Sequence, residues 1–193
     1  PIVLPAGGRD PRLGSNPIAI AVPVGDGPPF IFDAATSVVS AGKFETYLRK
    51  DEQPPAGWAL TDDLKPERSA ARPPNGRRLL PLGGDLEHSN YKGYGLAMIV
   101  DILCGVLSGM GPGLAQGGPS GTFQSAHFFG AWDIAAFWDP AAFKQMMADY
   151  VRAMHATPPM PGVDHVRVPG DIESENREDR LENGIPLYPD VIE

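Results

Sequence analysis

Four short stretches of the 193-residue chain combine small residues with polar or charged ones, a composition typical of ligand-binding loops. A helix is predicted to begin in the second and the fourth, and a helix N-terminus attracts phosphate or carboxylate groups. In the third, a lysine stands beside two glycines that leave room for a large group, and lysine is seldom buried without a partner. Taken alone, the first stretch is better explained by a turn and the second by a helix cap. The third is equally well explained by a surface lysine on a fraying helix turn, and the fourth is weak by itself. The stretches are Leu13-Gly14-Ser15-Asn16-Pro17, Asp33-Ala34-Ala35-Thr36-Ser37, Tyr91-Lys92-Gly93-Tyr94-Gly95 and Pro169-Gly170-Asp171-Ile172-Glu173.

Three common catalytic or nucleotide-binding motifs are absent from the sequence. The nearest match to the Rossmann glycine pattern runs from Gly93 to Met98, lacks the third glycine and follows no predicted strand. The sequence has no GxxxxGK[ST] phosphate loop and no GxSxG nucleophile turn. A conventional dinucleotide fold, a P-loop nucleotide triphosphatase and a serine hydrolase of that type are therefore not supported.

The elements that must position these stretches alternate between strand and helix patterns. Apolar, β-branched residues at 18–24 and aromatic residues at 30–32 predict two strands, joined by the turn Gly25-Asp26-Gly27. Asp33 or Thr36 is then predicted to open a helix. Proline and charge dominate residues 51–80, which predicts a long surface excursion.

The segment 89–109 predicts a central helix. From residue 96 to residue 107 it is apolar on nearly every side, with Asp101 as its lone charge, so we expect it to be buried all round. Glycines 93, 95 and 105 are poor helix formers and indicate close approach of a backbone or a ligand.

The last third of the chain continues the alternation. Residues 127–137 and 163–168 predict strands, whereas 140–155 and 172–183 predict helices, the first opened by Asp139-Pro140. The sequence therefore predicts the α/β class. Short connections favour a mixed β-sheet flanked by helices over an all-parallel one.

Composition and charge exclude several classes of protein. With 16 Lys and Arg against 24 Asp and Glu, the net charge of −8 argues against a nucleic-acid partner. The single cysteine, Cys104, cannot form an internal disulfide, and the four histidines stand too far apart for a zinc motif, so we predict no metal site. These features, with no apolar run of about 18 residues, favour a reducing cytoplasm and no membrane contact.

Together, the stretches resemble the malate/L-lactate dehydrogenase family, which lacks a Rossmann fold and includes ureidoglycolate dehydrogenases, sulfolactate dehydrogenases and reductases of cyclic imino acids. The resemblance covers residues 7–189, apart from 61–78, where TDDLKPERSAARPPNG replaces the family's Asp-Gly and Thr-Asp-Pro and leaves only a surface loop in doubt. The segments that carry it, in order, are LGSNPIAIAVP, FDAATSVVSAGK, LLPLGG, YKGYGLAMIVDIL, HFFGAWD, VPGDIE and NGIPL.

The resemblance implies hydride transfer between NAD or NADP and a small 2-hydroxy or 2-oxo acid, on a non-Rossmann dinucleotide-binding fold of the sulfolactate dehydrogenase type. Ser15, Ala41 and Gly42 would bind the substrate, and Lys43 beside them would support catalysis. The cofactor would contact Asp33, Ala34, Ala35, Tyr91, Lys92, Gly93, Gly170, Asp171, Ile172, Glu173, Ser174, Glu175 and Asn176.

The resemblance places the family's catalytic histidine in a helical N-terminal segment that has no counterpart here. The sequence begins at Pro1, without Met, directly before strand-like residues, so we expect a trimmed or partial chain that is inactive alone. Residues 1–157 would form the cofactor-binding domain, with an excursion at about 51–80, and 158–193 a return segment that packs on the N-terminal segment.

Three alternatives remain open at this point. The chain is an oxidoreductase of 2-hydroxy acids, a cyclic imino-acid reductase or ureidoglycolate dehydrogenase, or a truncated or degenerate relative that only binds a ligand or dimerises. A homodimer is expected, as the resemblance also implies. The reason is that this chain should leave an apolar surface uncovered, and such a surface normally marks an interaction site; it would include the aromatic run Phe128-Phe129-Ala131-Trp132 and the methionine-rich face of helix 140–155.

Overall fold

A computed structural model of the chain describes residues 2–71, 73, 76–113 and 125–187. The chain divides into two units: Pro1–Ile18 with Ala34–Gly130, and Ala19–Asp33 with Ala131–Glu193. The division of the sequence at residue 157 stays a prediction.

The two strands expected near the N-terminus are confirmed. Strand β1 spans Ile18–Val22 and β2 spans Phe30–Ala34, and the two are hydrogen-bonded neighbours in one sheet. Between them, Gly27 N donates to Val24 O at 3.0 Å, and Gly25 has a φ of 47°, a left-handed conformation that favours glycine.

In the first unit, Val3 pairs with one neighbouring segment in the parallel sense and with another in the antiparallel sense. Strand β3 (Ala59–Leu60) pairs antiparallel with β4 (Arg78–Leu79). Single bridges then join Val3 to Leu79 in the parallel sense and to Leu13 in the antiparallel sense. Helices and small sheets agree with the predicted α/β class. However, the strands of the described residues form two separate two-stranded sheets rather than one mixed sheet.

Phe44 lies at the centre of the hydrophobic core of the first unit. Helix α1 (Gly42–Arg49) carries this fully buried ring against the edge of Trp58, with centroids 5.6 Å apart, while the Arg77 guanidinium lies 3.8 Å above its face. The predicted excursion is therefore anchored by Trp58 at one end and by Arg77 at the other. The buried cluster consists of Val3, Leu13, Val39, Phe44, Ala59, Leu79 and Ala97.

The predicted helix start at Asp33 or Thr36 is wrong. Strand β2 continues to Ala34, and α1 begins only at Gly42. The backbone between them is held by neighbouring segments instead of by helical bonds, because Thr36 N donates to Ser15 O and Val38 N donates to Leu80 O, each at 2.9 Å.

The central helix forms, but the expectation of burial on every side is wrong. Helix α2 (Tyr91–Val100) continues as a π-helix over Asp101–Val106. Gly93, Ala97 and Gly105 are buried, whereas other apolar residues stay open: Ile99 is 49% exposed, Ile102 50% and Leu107 66%. The apolar composition predicted that neighbouring segments cover the whole helix surface. Within the described residues, they cover only one side of it.

Within residues 125–187 the two predicted helices are confirmed, whereas neither of the two predicted strands forms. Helix α3 spans Pro140–His155, capped by Asp139, whose carboxylate accepts from Ala142 N, and α4 spans Asp171–Asn183, followed by Gly184 with φ of 84°. Within 127–137, Asp133 instead caps a single 3-10 turn (Ile134–Ala136). Residues 163–168 have no strand pairing, because Val163 N and Asp171 N close local turns onto Met160 O and Val168 O.

Candidate functional site

The predicted substrate-binding residue Ser15 lies in a turn held by its neighbour Asn16. Asn16 adopts a left-handed backbone with φ of 41°, a conformation in which asparagine is enriched. Its Nδ2 atom donates to Ala97 O at 2.8 Å and to the Asp101 carboxylate at 3.0 Å. The turn is therefore fastened to the central helix by one side chain.

Thr36 also forms hydrogen bonds to this turn. Its hydroxyl shares one proton between two carbonyl acceptors, with Oγ1 3.1 Å from Ser15 O and 3.0 Å from Asn16 O, and Thr36 is only 3% exposed. The carbonyl of Ser15 also accepts from Thr36 N. The Oγ atom of Ser15, in contrast, has no hydrogen bond within the described residues. The hydroxyl is thus available to a ligand while the backbone beneath it is fixed.

Tyr91, Lys92 and Gly93 form the first turn of α2. Lys92 is exposed, and its ammonium lies 6.0 Å from the Tyr91 ring centroid. Gly93 is buried against Leu82, whose carbonyl oxygen would stand 2.3 Å from an added Cβ. Gly93 therefore has a packing role that the sequence indicated only as close approach.

Asn90, which precedes this turn, was missed by the sequence analysis. It is 4% exposed, and its Nδ2 atom donates to Gly84 O at 3.0 Å. Its Oδ1 atom is buried with no hydrogen-bond partner in the described part of the chain. A buried acceptor without a donor is unfavourable by about 1–3 kcal/mol, so the first turn of α2 offers a place for a donor group.

Ala41, Gly42 and Lys43 lie at the start of α1. Ala41 packs on the core cluster, whereas Gly42 and Lys43 are exposed. Lys43 N donates to Ser40 O at 3.1 Å, and among the described residues no hydrogen bond joins these three residues to Ser15 or to Lys92.

In the second unit, the predicted cofactor loop is built around Gly170 and Asp171. Gly170 has φ of 104°, and an added Cβ would stand 3.1 Å from Ile31 N, so only glycine fits without strain. The Oδ2 atom of Asp171 accepts from Val168 N at 2.7 Å and lies 2.7 Å from His155 Nε2. Burial raises the pKa of Asp171, but these two hydrogen bonds outweigh it, so the pKa lies below its usual value.

A cavity of about 240 Å³ lies beside this His155–Asp171 pair. The turn after β1 and one face of α3 form its walls, and apolar side chains and charged groups share the lining. The acidic and basic residues on it are Asp26, Arg152, His155 and Asp171.

The remaining residues of the predicted loop lie along the first turns of α4. Ile172, Glu173 and Asn176 are exposed, and Ser174 is half-buried. Both carboxylate oxygens of Glu175 accept from Arg167 Nε at 3.2 Å, and this guanidinium holds the pKa of Glu175 below its usual value. Glu175 is therefore already engaged by a cation of the protein.

Three of the four histidines contact carboxylates. His88 Nδ1 lies 2.6 Å from Asp85, which raises the pKa of His88, and His165 lies 3.5 Å from Glu175. His155 is paired with Asp171, as described above. Among the described residues no group of three or more His, Cys, Asp or Glu side chains could hold a metal ion. In the same part of the chain, no helix is both long and apolar enough to cross a membrane.

The residues of the predicted site are divided between the two units. The first unit contains Ser15, Ala34, Ala35, Ala41–Lys43 and Tyr91–Gly93, and the second contains exposed Asp33 and residues 170–176. The pairs Asn16–Asp101 and His155–Asp171 were missed. Asp101 carried one signal, as the lone charge of an apolar helix, but nothing in the sequence indicated its partner.

The family model and the individual relatives point to the same protein family. A family model described as malate/L-lactate dehydrogenase matches residues 1–193. The chain is 39% identical to the malate dehydrogenase of Pyrococcus abyssi, over 100% of this chain and 54% of that protein. It is 35% identical to the Delta(1)-pyrroline-2-carboxylate reductase of Ancylobacter novellus, over 96% of this chain and 52% of that protein.

Among solved structures, the malate dehydrogenase of Entamoeba histolytica superposes with a TM-score of 0.92 at 32% identity. The match covers 99% of this chain and 55% of that one. The chain thus spans about half the length of the relatives that it matches.

Proposed function

The chain belongs to the malate/L-lactate dehydrogenase family, and we propose that its protein transfers a hydride between NAD or NADP and a small 2-hydroxy or 2-oxo acid. The family match over residues 1–193 carries the proposal. The fold we propose for the whole domain is the non-Rossmann, sulfolactate dehydrogenase-like one that the resemblance implied.

The residues at the start of α2 fit a dinucleotide. Lys92 places an exposed cation on the first helical turn, where the helix dipole also favours a phosphate. Asn90 Oδ1 adds a buried acceptor without a donor, which suits a hydroxyl or amide of the cofactor. When bound, the nicotinamide ring supplies the hydride chemistry, and the task of this chain is to bind and orient it.

The second unit supplies a different kind of contact. Residues 170–176 begin a helix whose first turn carries Asp171 and Glu173, and carboxylates accept hydrogen bonds from ribose hydroxyls rather than contacting phosphate. The Asp171 carboxylate already holds Val168 N and His155. We therefore assign Asp171 to shaping the loop and the exposed Glu173 to direct contact with the cofactor.

Ser15 is the residue of this chain best placed to bind the substrate. Its backbone is fixed by Thr36 and its hydroxyl is free within the described residues, so it can donate to a carboxylate or a 2-oxo oxygen. Ala41 and Gly42 would line the same pocket, and Lys43 would contribute a positive charge. We assign the proton transfer to a histidine outside these residues, as the resemblance implied.

A cyclic imino-acid reductase or a ureidoglycolate dehydrogenase is the nearest alternative within the enzyme class. The 35% identity to a pyrroline-2-carboxylate reductase favours the former. A protein that only binds a ligand or dimerises is the alternative from another class, favoured by the exposed apolar side of the central helix. We further propose a homodimer that functions in the cytoplasm.

An activity panel on the complete protein tests these proposals. Pyruvate, oxaloacetate and a cyclic imino acid are each supplied with NADH and with NADPH, and the isolated 193-residue chain serves as the control. We expect the complete protein to oxidise a reduced cofactor with at least one acid, and the isolated chain to show no turnover. Cofactor binding without turnover by the complete protein would instead support the ligand-binding alternative.

A further inference from the structure

Asn16 and Asp101 connect the proposed substrate residue to the central helix although neither carries a role in the proposed function. We propose that they are positioning residues, which hold the Ser15 backbone so that its hydroxyl meets the substrate. They do so without contacting the substrate themselves. This inference rests on the proposed function, because it assumes that Ser15 binds the 2-oxo or 2-hydroxy acid.

The local geometry is built for the side chain of Asn16. An added Cβ at Gly14 would stand 2.6 Å from Asn16 Oδ1, so only glycine at that position leaves the amide its place. The left-handed backbone at Asn16 directs the chain from Ser15 into β1 at a cost that asparagine tolerates better than most residues. Two independent features of the backbone therefore accommodate this one amide.

Asp101 holds the other end of the connection. Its Oδ1 accepts from Asn16 and its Oδ2 accepts from Gly113 N at 3.2 Å, so both oxygens of the half-buried carboxylate are engaged. Hydrogen bonds to an ionised group are about twice as strong as neutral ones. A charge on an otherwise apolar helix is thereby stabilised, and it joins the Ser15 turn to a second loop.

The helix changes its hydrogen-bonding pattern at this residue. The π-helix begins at Asp101, and Ala97 O accepts both from Asp101 N and from Asn16 Nδ2. Single-turn π segments inside α-helices are frequently found at functional sites. Gly105, one turn later, lies against Gly111, whose carbonyl oxygen would stand 2.3 Å from an added Cβ. The π segment thus carries both the Asn16 contact and the 111–113 loop.

Steady-state kinetics of the complete protein separate positioning from mere structural support. N16D sets two carboxylates against each other, and D101N in the N16D background restores a donor and an acceptor between the two positions. For the preferred acid, we expect N16D to raise KM about tenfold with a smaller change in kcat, as for the loss of one charged hydrogen bond. The KM of the double variant should be about threefold lower than that of N16D. The dissociation constant for the reduced cofactor should stay at the wild-type value in both variants.

Ser108→Ala is the matched control, since Ser108 lies in the turn after the π-helix and its Oγ donates to Cys104 O at 2.6 Å, with no bond to the Ser15 turn. Its KM should equal that of the wild type. If N16D does not fold, the KM of D101N alone tests the positioning role. One carboxylate oxygen then becomes an NH2 group, which must face a donor, either Asn16 Nδ2 or Gly113 N.

The outcomes separate two failures. A wild type that turns over while the variants keep its KM, losing only thermal stability, overturns the positioning role. A wild type that reduces none of the acids overturns the proposed function, and this inference falls with it.

Discussion

The backbone of Leu82 lies directly against Gly93, and a Cβ on Gly93 would come 2.3 Å from its carbonyl oxygen and 2.5 Å from its nitrogen. Leu82 N in turn donates to Thr36 O at 2.9 Å. Gly93 thus sets the distance between α2 and the segment that holds the Ser15 turn. Two residues further along, Gly95 has no other described atom within 4 Å of such a Cβ.

This difference predicts opposite effects for the same substitution on one helix. Gly93→Ala should lower the free energy of unfolding by about 1–3 kcal/mol, because the neighbouring backbone must shift. Gly95→Ala should raise it by about 0.5–1 kcal/mol, because alanine costs less helix entropy than glycine. Chemical denaturation of the two variants beside the wild type measures both. Equal shifts in the same direction would contradict the packing of Gly93 on Leu82.

The three glycines also show how far the sequence predicts the fold. Their poor helix propensity indicated close approach, which is confirmed for Gly93 and Gly105 and not seen for Gly95 within the described residues. The length of the helix could be predicted from its apolar run, but its burial could not. Apolarity on all sides says that a surface is to be covered, whereas the segment that covers it is a tertiary property.

Local signals predicted α3, α4 and the two N-terminal strands well, because caps, glycines and periodicity act over a few residues. The candidate site depended on contacts between distant positions. Asn16 and Asp101 are 85 positions apart and His155 and Asp171 are 16 apart, and spacing in one sequence does not indicate either pair. Motif resemblance supplied Ser15 and Lys92, but the residues that hold them came only from the structure.

Lys92→Met tests the proposed cofactor site. The change removes the charge and keeps the apolar stem, so it should weaken binding of the reduced nicotinamide cofactor about fivefold, or about 1 kcal/mol. The effect is modest because Lys92 is exposed and solvent screens its charge. Calorimetry on the complete protein measures it, with Lys65→Met, an exposed lysine on a loop, as the control. Identical affinities for the Lys92 and Lys65 variants would remove Lys92 from the site.

The His155–Asp171 pair predicts a stability difference that depends on pH. The pKa of Asp171 in the folded protein lies below its ordinary value of 3.8. The ionised carboxylate therefore makes its full contribution to folding stability at a pH above 3.8. The contribution is lost as the pH falls through the folded pKa. Asp171→Asn should therefore be less stable than the wild type near neutral pH, and the gap should narrow in acid below 3.8. Denaturant unfolding followed across this range measures the gap.

Asp164→Asn is the control for that series, because Asp164 is an exposed carboxyl in the segment before α4. Its stability should follow the wild type at every pH. A gap for Asp171→Asn that stays constant into acid would show that the substitution acts through shape rather than through the charge on the carboxylate.

The exposed side of the central helix tests the proposed homodimer. Ile102 is 50% exposed near the start of the π-helix, and a carboxylate there should disfavour an apolar interface while removing little packing from the monomer. We expect Ile102→Asp to shift the complete protein from dimer to monomer in sedimentation equilibrium. Leu181→Asp, at a 71% exposed leucine on the charged helix α4, should leave the dimer intact. A dimer that is equally stable in both variants would mean that this side of the helix lies outside the dimer interface.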